Sequence, residues 1–154
     1  MQLNLNIGEV KSSKEPALIS VYGLGSCVAV FLHDLTTKVG GGAHIMLSSH
    51  KEGYTLNDPL HYAEGALTQL IEQLQKKSGQ ESRFRAKIIG GANVLRSNEN
   101  DIGKKNIAAV KDYLVKNRIY IAANDIGGHF LRTGLFETHS GRLKVVSPSE
   151  IRYI

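Results

Sequence analysis

Cys27 is the only cysteine of the chain. It follows a glycine-rich turn, Gly23-Leu24-Gly25-Ser26, and heads the apolar run Cys27-Val28-Ala29-Val30-Phe31-Leu32. One thiol forms no internal disulfide and cannot alone supply a thiolate-rich zinc site. With an ordinary pKa of about 8.5, a thiol is a strong nucleophile near neutrality only beside a base. His44 is the best partner on offer, because it stands in the apolar stretch Ala43-His44-Ile45-Met46-Leu47, where an imidazole is costly unless it is partnered. The other histidines, His33, His50, His61, His129 and His139, fall in expected loops, strand ends or helix starts, and no two take a zinc-ligand spacing. A lone cysteine is ordinarily a small buried hydrophobe, and a lone histidine on an apolar strand is ordinarily a satisfied core residue. Together, beside a turn rich in backbone N–H groups, they point to nucleophile and general base. The backbone of Gly25 and Ser26 is then the candidate for binding a developing oxyanion.

The elements that must position this pair can be read from periodicity. Leu3, Leu5 and Ile7 alternate with polar residues, so residues 2–7 read as a half-buried strand. Strands follow over 17–22, over 27–32, which is β-branched and almost wholly apolar, and over 43–47, led into by Gly40-Gly41-Gly42. Residues 48–57 form a polar loop. Asp58 then reads as an N-cap with Pro59 at the first helical position; Leu60, Ala63, Leu67, Leu70, Ile71 and Leu74 recur at helical spacing, and Gly79 stops the helix. A strand over 85–90 runs into Gly90-Gly91, and a second helix spans about 103–118. Strands over 120–126, 131–138 and 143–146 close the chain, the last two joined by a hairpin turn at Ser140-Gly141. The order gives an α+β fold: one layered domain over residues 1–154, of mixed and antiparallel sheet with two main helices, sandwich-like in an α/β/β arrangement. Strands and helices do not alternate one for one, which argues against a doubly wound dinucleotide fold. Gly23/Gly25, Gly40–Gly42, Gly90/Gly91 and Gly127/Gly128 all fall at expected strand ends, which suggests a site built largely from backbone.

Five segments in order carry a family resemblance. The run Gly23-Leu24-Gly25-Ser26-Cys27-Val28-Ala29-Val30 resembles the LGSCVAV segment of the CheD chemoreceptor glutamine deamidases, and Gly42-Ala43-His44-Ile45-Met46-Leu47 resembles their AHxML strand. Ile89-Gly90-Gly91-Ala92-Asn93 is similar to FGGAN, Asp101-Ile102-Gly103 to Asn106 to the IGxxN helix start, and Asn124-Asp125-Ile126-Gly127-Gly128 to the DxGG segment. The resemblance implies an enzyme that uses no metal or organic cofactor. A cytoplasmic location is the expectation from a start without a secretory-signal pattern and a chain without a membrane-length apolar run. Cys27 would attack the side-chain amide of a receptor glutamine and His44 would move the protons. Its implied partners are methyl-accepting chemotaxis receptors as substrate and a CheC-type phosphatase as regulator.

Two positions depart from the family pattern. A threonine that orients the histidine is usual six residues before the cysteine; here the position is Val21, which keeps the shape and lacks the hydroxyl. Ser20 is a weak substitute because strand neighbours face opposite ways, whereas a backbone carbonyl could orient the imidazole instead. After Gly128, where the family often has a glycine shortly before an arginine, the chain reads His129-Phe130-Leu131-Arg132. Val21 keeps a second reading open, a module that docks on receptors or a CheC-type protein without turning over glutamine.

Charge separates the remaining classes. The net charge of +5 is concentrated in residues 76–118, with eleven Lys/Arg against four Asp/Glu, while residues 1–75 hold four against seven. The basic residues interleave with core positions and lack an aromatic stacking pattern, so a solvated helix face is favoured over a nucleic-acid surface. No run approaches the roughly 18 apolar residues of a membrane span. The start, MQLNLNIGEVKSSKEP, lacks the basic and apolar stretches of a secretory signal.

Overall fold

A computed structural model describes residues 1–49, 58–79 and 82–154. Ten strands and two helices follow one another: β1 (Gln2–Asn4), β2 (Val10–Ser13), β3 (Leu18–Leu24), β4 (Val28–His33), β5 (Gly40–Ile45), α1 (Ala63–Ser78), β6 (Arg85–Gly90), α2 (Ile102–Lys116), β7 (Tyr120–Ile126), β8 (Arg132–Glu137), β9 (Leu143–Val146) and β10 (Ile151–Tyr153). They form two five-stranded mixed sheets, ordered β1-β3-β8-β9-β10 and β2-β5-β4-β6-β7. In each sheet one pair is parallel, β1 with β3 and β6 with β7, and the other pairs are antiparallel. The fold is α+β, as the element order predicts. No helix among the described residues is long and apolar enough to cross a membrane.

Alternation along β4 separates the interior into two cores. Val28, Val30 and Leu32 pack under α1 and α2 with Leu67, Leu70, Leu74, Val110 and Leu114. Ala29 and Phe31 point the other way, into a core between the sheets with Ile19, Val21, Leu24, Ile89, Phe136 and Leu143. The Phe31 and Phe136 rings stack across that gap with centroids 4.8 Å apart. Because β4 is covered on both faces, its six residues are all buried, which is why it reads as an unbroken apolar run.

Several boundaries differ from the periodic reading. The first strand stops at Asn4; Leu5 stays in register through its N–H to the Ser20 carbonyl, and Ile7 is exposed at the turn before Gly8. Gly40–Gly42 lie inside β5 rather than ahead of it. A methyl on Gly40 would come within 2.9 Å of the Thr138 carbonyl, and one on Gly42 within 2.8 Å of the Phe31 ring, so close sheet packing selects glycine there. Asp58 caps a 3-10 turn over Pro59–His61, its carboxylate accepting the Leu60 N–H, and the α-helix itself starts at Ala63. Most of the expected loop 48–57, with His50, lies outside the described residues.

Candidate active site

Cys27 and His44 share one face of one sheet. Ala43 and Ile45 belong to the core under the helices, so His44 between them faces the other sheet. Cys27, one residue before β4, follows the alternation of Ala29 and Phe31 and packs against the inter-sheet core. In the antiparallel register Ala29 lies opposite His44, which makes Cys27 its diagonal neighbour, a relation that spans about 7–8 Å between backbones. The thiol is free and half-buried; the imidazole is buried at 5% exposure.

The imidazole is oriented by backbone. His44 Nδ1 lies 3.0 Å from the Leu5 carbonyl oxygen. A carbonyl only accepts, so Nδ1 carries the proton of the neutral ring and Nε2 keeps a free lone pair. Leu5 is itself held by its N–H to the Ser20 carbonyl at 2.8 Å. The Leu5 carbonyl thus occupies the orienting role that the resemblance gives to a threonine at position 21. Val21 lies fully buried in the inter-sheet core opposite Gly134. Ser20 stands on the opposite face of β3 from Val21, so its hydroxyl points away from the His44 side and does not stand in for the threonine.

The turn before Cys27 is anchored by its carbonyls. Gly25 O accepts the Ala92 N–H and Cys27 O the Gly91 N–H, each at 2.8 Å. Between them, Ser26 O accepts from Asn106 Nδ2 at 2.9 Å. The same Nδ2 donates to the Met46 carbonyl, also at 2.9 Å. Asn106 is completely buried on α2, and its amide therefore ties the cysteine turn to the chain just past the histidine strand. Its Oδ1 is buried and has no partner among the described residues. Gly90, at φ +105, completes the seat: a methyl there would stand 2.3 Å from the Cys27 carbonyl oxygen, so only glycine lets β6 approach the cysteine this closely.

A further clamp holds the third side of the site. Arg132 is buried; its Nε donates to Asp125 Oδ1 at 2.9 Å and its NH1 to the Gly127 carbonyl at 2.7 Å. Asp125 also accepts from Arg152 at 2.8 Å. This network joins β7 of one sheet to β8 and β10 of the other beside the Gly127-Gly128 turn, and the Gly128 carbonyl accepts the Asn93 N–H.

Burial sets both protonation states. It pushes the Cys27 thiol above its usual range, offset in part by its own backbone N–H. It pushes His44 below the ordinary 6.5, against the Leu5 carbonyl and the Glu9 carboxylate, which both favour the charged ring. Both shifts favour the neutral thiol and the neutral imidazole over an ion pair at rest.

Cysteine, histidine and the Gly25-Ser26 turn were visible in the sequence. Asn106 lay in a recognised segment without a role; Asp125, in the DxGG segment, and Arg132 were both noted in the sequence, but their pairing was not. Leu5 acts through its carbonyl, for which no side-chain signal exists. The basic segment spreads over a solvated face: Lys104, Lys105 and Lys116 of α2 are exposed, and Lys116 pairs with Asp112.

Comparison with known proteins gives the family of the chain's relatives. Residues 46–147 match the model of the family described as CheD chemotactic sensory transduction. The chain is 37% identical to the probable chemoreceptor glutamine deamidase CheD of Methanococcus vannielii, over the whole of both chains. It is 39% identical to the chemoreceptor glutamine deamidase CheD of Thermotoga maritima, over 94% of this chain and 91% of that one. A probable chemoreceptor glutamine deamidase of Clostridium kluyveri is 34% identical over the same shares. The family-model match begins after Cys27 and His44, whereas the first of these similarities runs through both.

Proposed function

The chain belongs to the CheD family, and we propose from that premise that it deamidates glutamines of chemotaxis receptors to glutamate, with Cys27 as nucleophile and His44 as general base. The observation that carries the reading is the Leu5 carbonyl on His44 Nδ1, which leaves Nε2 free to take a proton from a thiol on the same sheet face. As the glutamine enters, Nε2 accepts the Cys27 proton and the sulfur attacks the side-chain amide carbon. The oxyanion that develops is held by backbone N–H groups of the Gly25–Cys27 turn, whose three carbonyls are all engaged elsewhere. The tetrahedral adduct collapses with cleavage of the C–N bond, and His44 returns its proton to the departing ammonia.

A thioester remains. Water, deprotonated by Nε2, adds to its carbonyl carbon; the C–S bond then breaks, Cys27 recovers its proton from His44, and glutamate is released. The sum is glutamine plus water to glutamate plus ammonia, with no redox change. The Leu5 carbonyl supports this reading over the docking-module reading, which drew on the missing threonine hydroxyl at Val21. Family membership extends the proposal to a location in the cytoplasm and to a CheC-type phosphatase as regulatory partner. The test is ammonia release on mixing with a glutamine-bearing receptor cytoplasmic fragment. Release at a rate that saturates with fragment and vanishes in Cys27→Ala supports the reading; a Cys27→Ala protein as active as wild type contradicts it.

A further inference from the structure

Cys27 is half-buried, and that constrains what must lie beside it when a protein substrate docks. The amide carbon of a glutamine side chain reaches at most about 4 Å from its Cα, and attack needs sulfur and carbon about 3–3.5 Å apart. The substrate backbone must therefore come within about 7 Å of the thiol. On a helical substrate the residues three and four positions away lie about 5–6 Å from the glutamine, so they land on whatever rims the cysteine turn.

That rim is apolar, exposed and rigidly built. A methyl placed on Gly25, two residues before the nucleophile, would sit 3.5 Å from Leu131 Cδ2 and 3.6 Å from Val94 Cγ2. Leu131 is 50% exposed and Val94 42%; Leu95 and Phe130 beside them are exposed as well. The two loops are fastened to the turn and to each other. Ala92 N–H donates to Gly25 O, Asn93 N–H to Gly128 O, and His129 Nδ1 lies 2.9 Å from Asn93 O. The Phe130 ring lies over the buried Arg132 guanidinium at 4.4 Å. Large side chains held in the open at a cost in solvation mark a contact surface.

We propose that Leu131 and Val94 form a shelf that seats an apolar side chain of a helical receptor segment, three or four residues from the target glutamine, and so select which glutamines reach Cys27. This rests on the deamidase reading and adds the feature of the substrate that is recognised. The occupant is committed by position: the shelf adjoins the nucleophile, and any helical substrate delivering glutamine to it covers the shelf.

The experiment compares wild type, Leu131→Asp and Leu131→Gly on a glutamine-bearing receptor fragment. It reads deamidation rate against fragment concentration, fragment binding in a Cys27→Ala background, and iodoacetamide alkylation of Cys27. Leu131→Asp is expected to raise KM at least tenfold and weaken binding in parallel, with the alkylation rate within twofold of wild type. Leu131→Gly takes an intermediate value. Replacing the apolar residue of the substrate by aspartate should cost wild type as much and Leu131→Asp little more. A Leu131→Asp protein with wild-type KM and binding overturns the shelf, as does a loss confined to kcat with altered alkylation, which would mean a distorted cysteine turn. Wild type that binds through Leu131 without turnover would refute the deamidase and keep the shelf; wild type that neither binds nor turns over refutes both.

Discussion

Replacing Asn106 by leucine tests whether the nucleophile and base strands are held together by one buried amide. The substitution keeps the branched outline of the side chain and removes the donor that serves the Ser26 and Met46 carbonyls, both at 2.9 Å. Two part-buried acceptors then lose this donor, at about 1–3 kcal/mol each. Against this, the unpartnered Oδ1 disappears and recovers a similar amount for one group. The net loss is about 1–3 kcal/mol, which at a urea slope of about 1–3 kcal/mol/M moves the unfolding midpoint down by roughly 1 M. Catalysis should suffer separately, because a displacement of about 1 Å between reacting groups can cost about a hundredfold. We expect kcat on a receptor fragment to fall at least tenfold in Asn106→Leu. Leu74→Ala is the control: Leu74 is fully buried near the far end of α1, its truncation costs about 2–5 kcal/mol, and kcat should stay near wild type at a temperature where both variants are folded. Asn106→Leu with the lowered midpoint and an unchanged kcat would refute the clamp.

Three further predictions follow from the environment of His44. The acid limb of kcat/KM should lie below pH 6.5, because burial depresses the imidazole and only its neutral form accepts the thiol proton; Glu9→Gln, by removing a carboxylate that favours the charged ring, should move the limb lower still, and a limb above 6.5 would contradict the assignment. The same depression, shared by His33, means the unfolded chain binds more protons just below pH 6.5, so stability should fall as pH drops beneath that value and level off above it, read by urea midpoints between pH 5 and 8. Val21→Thr should change kcat/KM by less than about threefold, since the Leu5 carbonyl already holds Nδ1, while a buried hydroxyl without a partner costs about 1–3 kcal/mol; a tenfold gain in rate would show that the carbonyl orients the ring poorly.

Much of the fold could be read from periodicity because most elements bury one regular face. The six residues of β4 and the helical repeat of α1 announce themselves. β2 and β10 do not: Val10-Lys11-Ser12-Ser13 is mostly polar and gains its place by pairing with β5, and all three residues of Ile151–Tyr153 are exposed. The glycines of β5 read as the lead-in to a strand because glycine ordinarily weakens strands, whereas here the neighbouring sheet leaves no room for a side chain. In the site, Cys27 and His44 were legible because their chemistry is in their side chains and their setting is apolar. The Leu5 carbonyl was not, since every residue has one and only the fold aims it. Asn106 joins partners that lie 80 and 60 residues away, a relation that no local spacing encodes.

The most direct test of Cys27–His44 deamidation is the mass of the receptor fragment after reaction in ordinary water and in water labelled with oxygen-18. The account predicts a gain of about one dalton per modified glutamine in the first and about three in the second, as –NH₂ is replaced by –OH drawn from solvent through a thioester. Both gains should vanish in Cys27→Ala and in His44→Ala. A mass gain that persists without Cys27, or a wild-type protein that leaves a bound receptor fragment unchanged in mass, would contradict it.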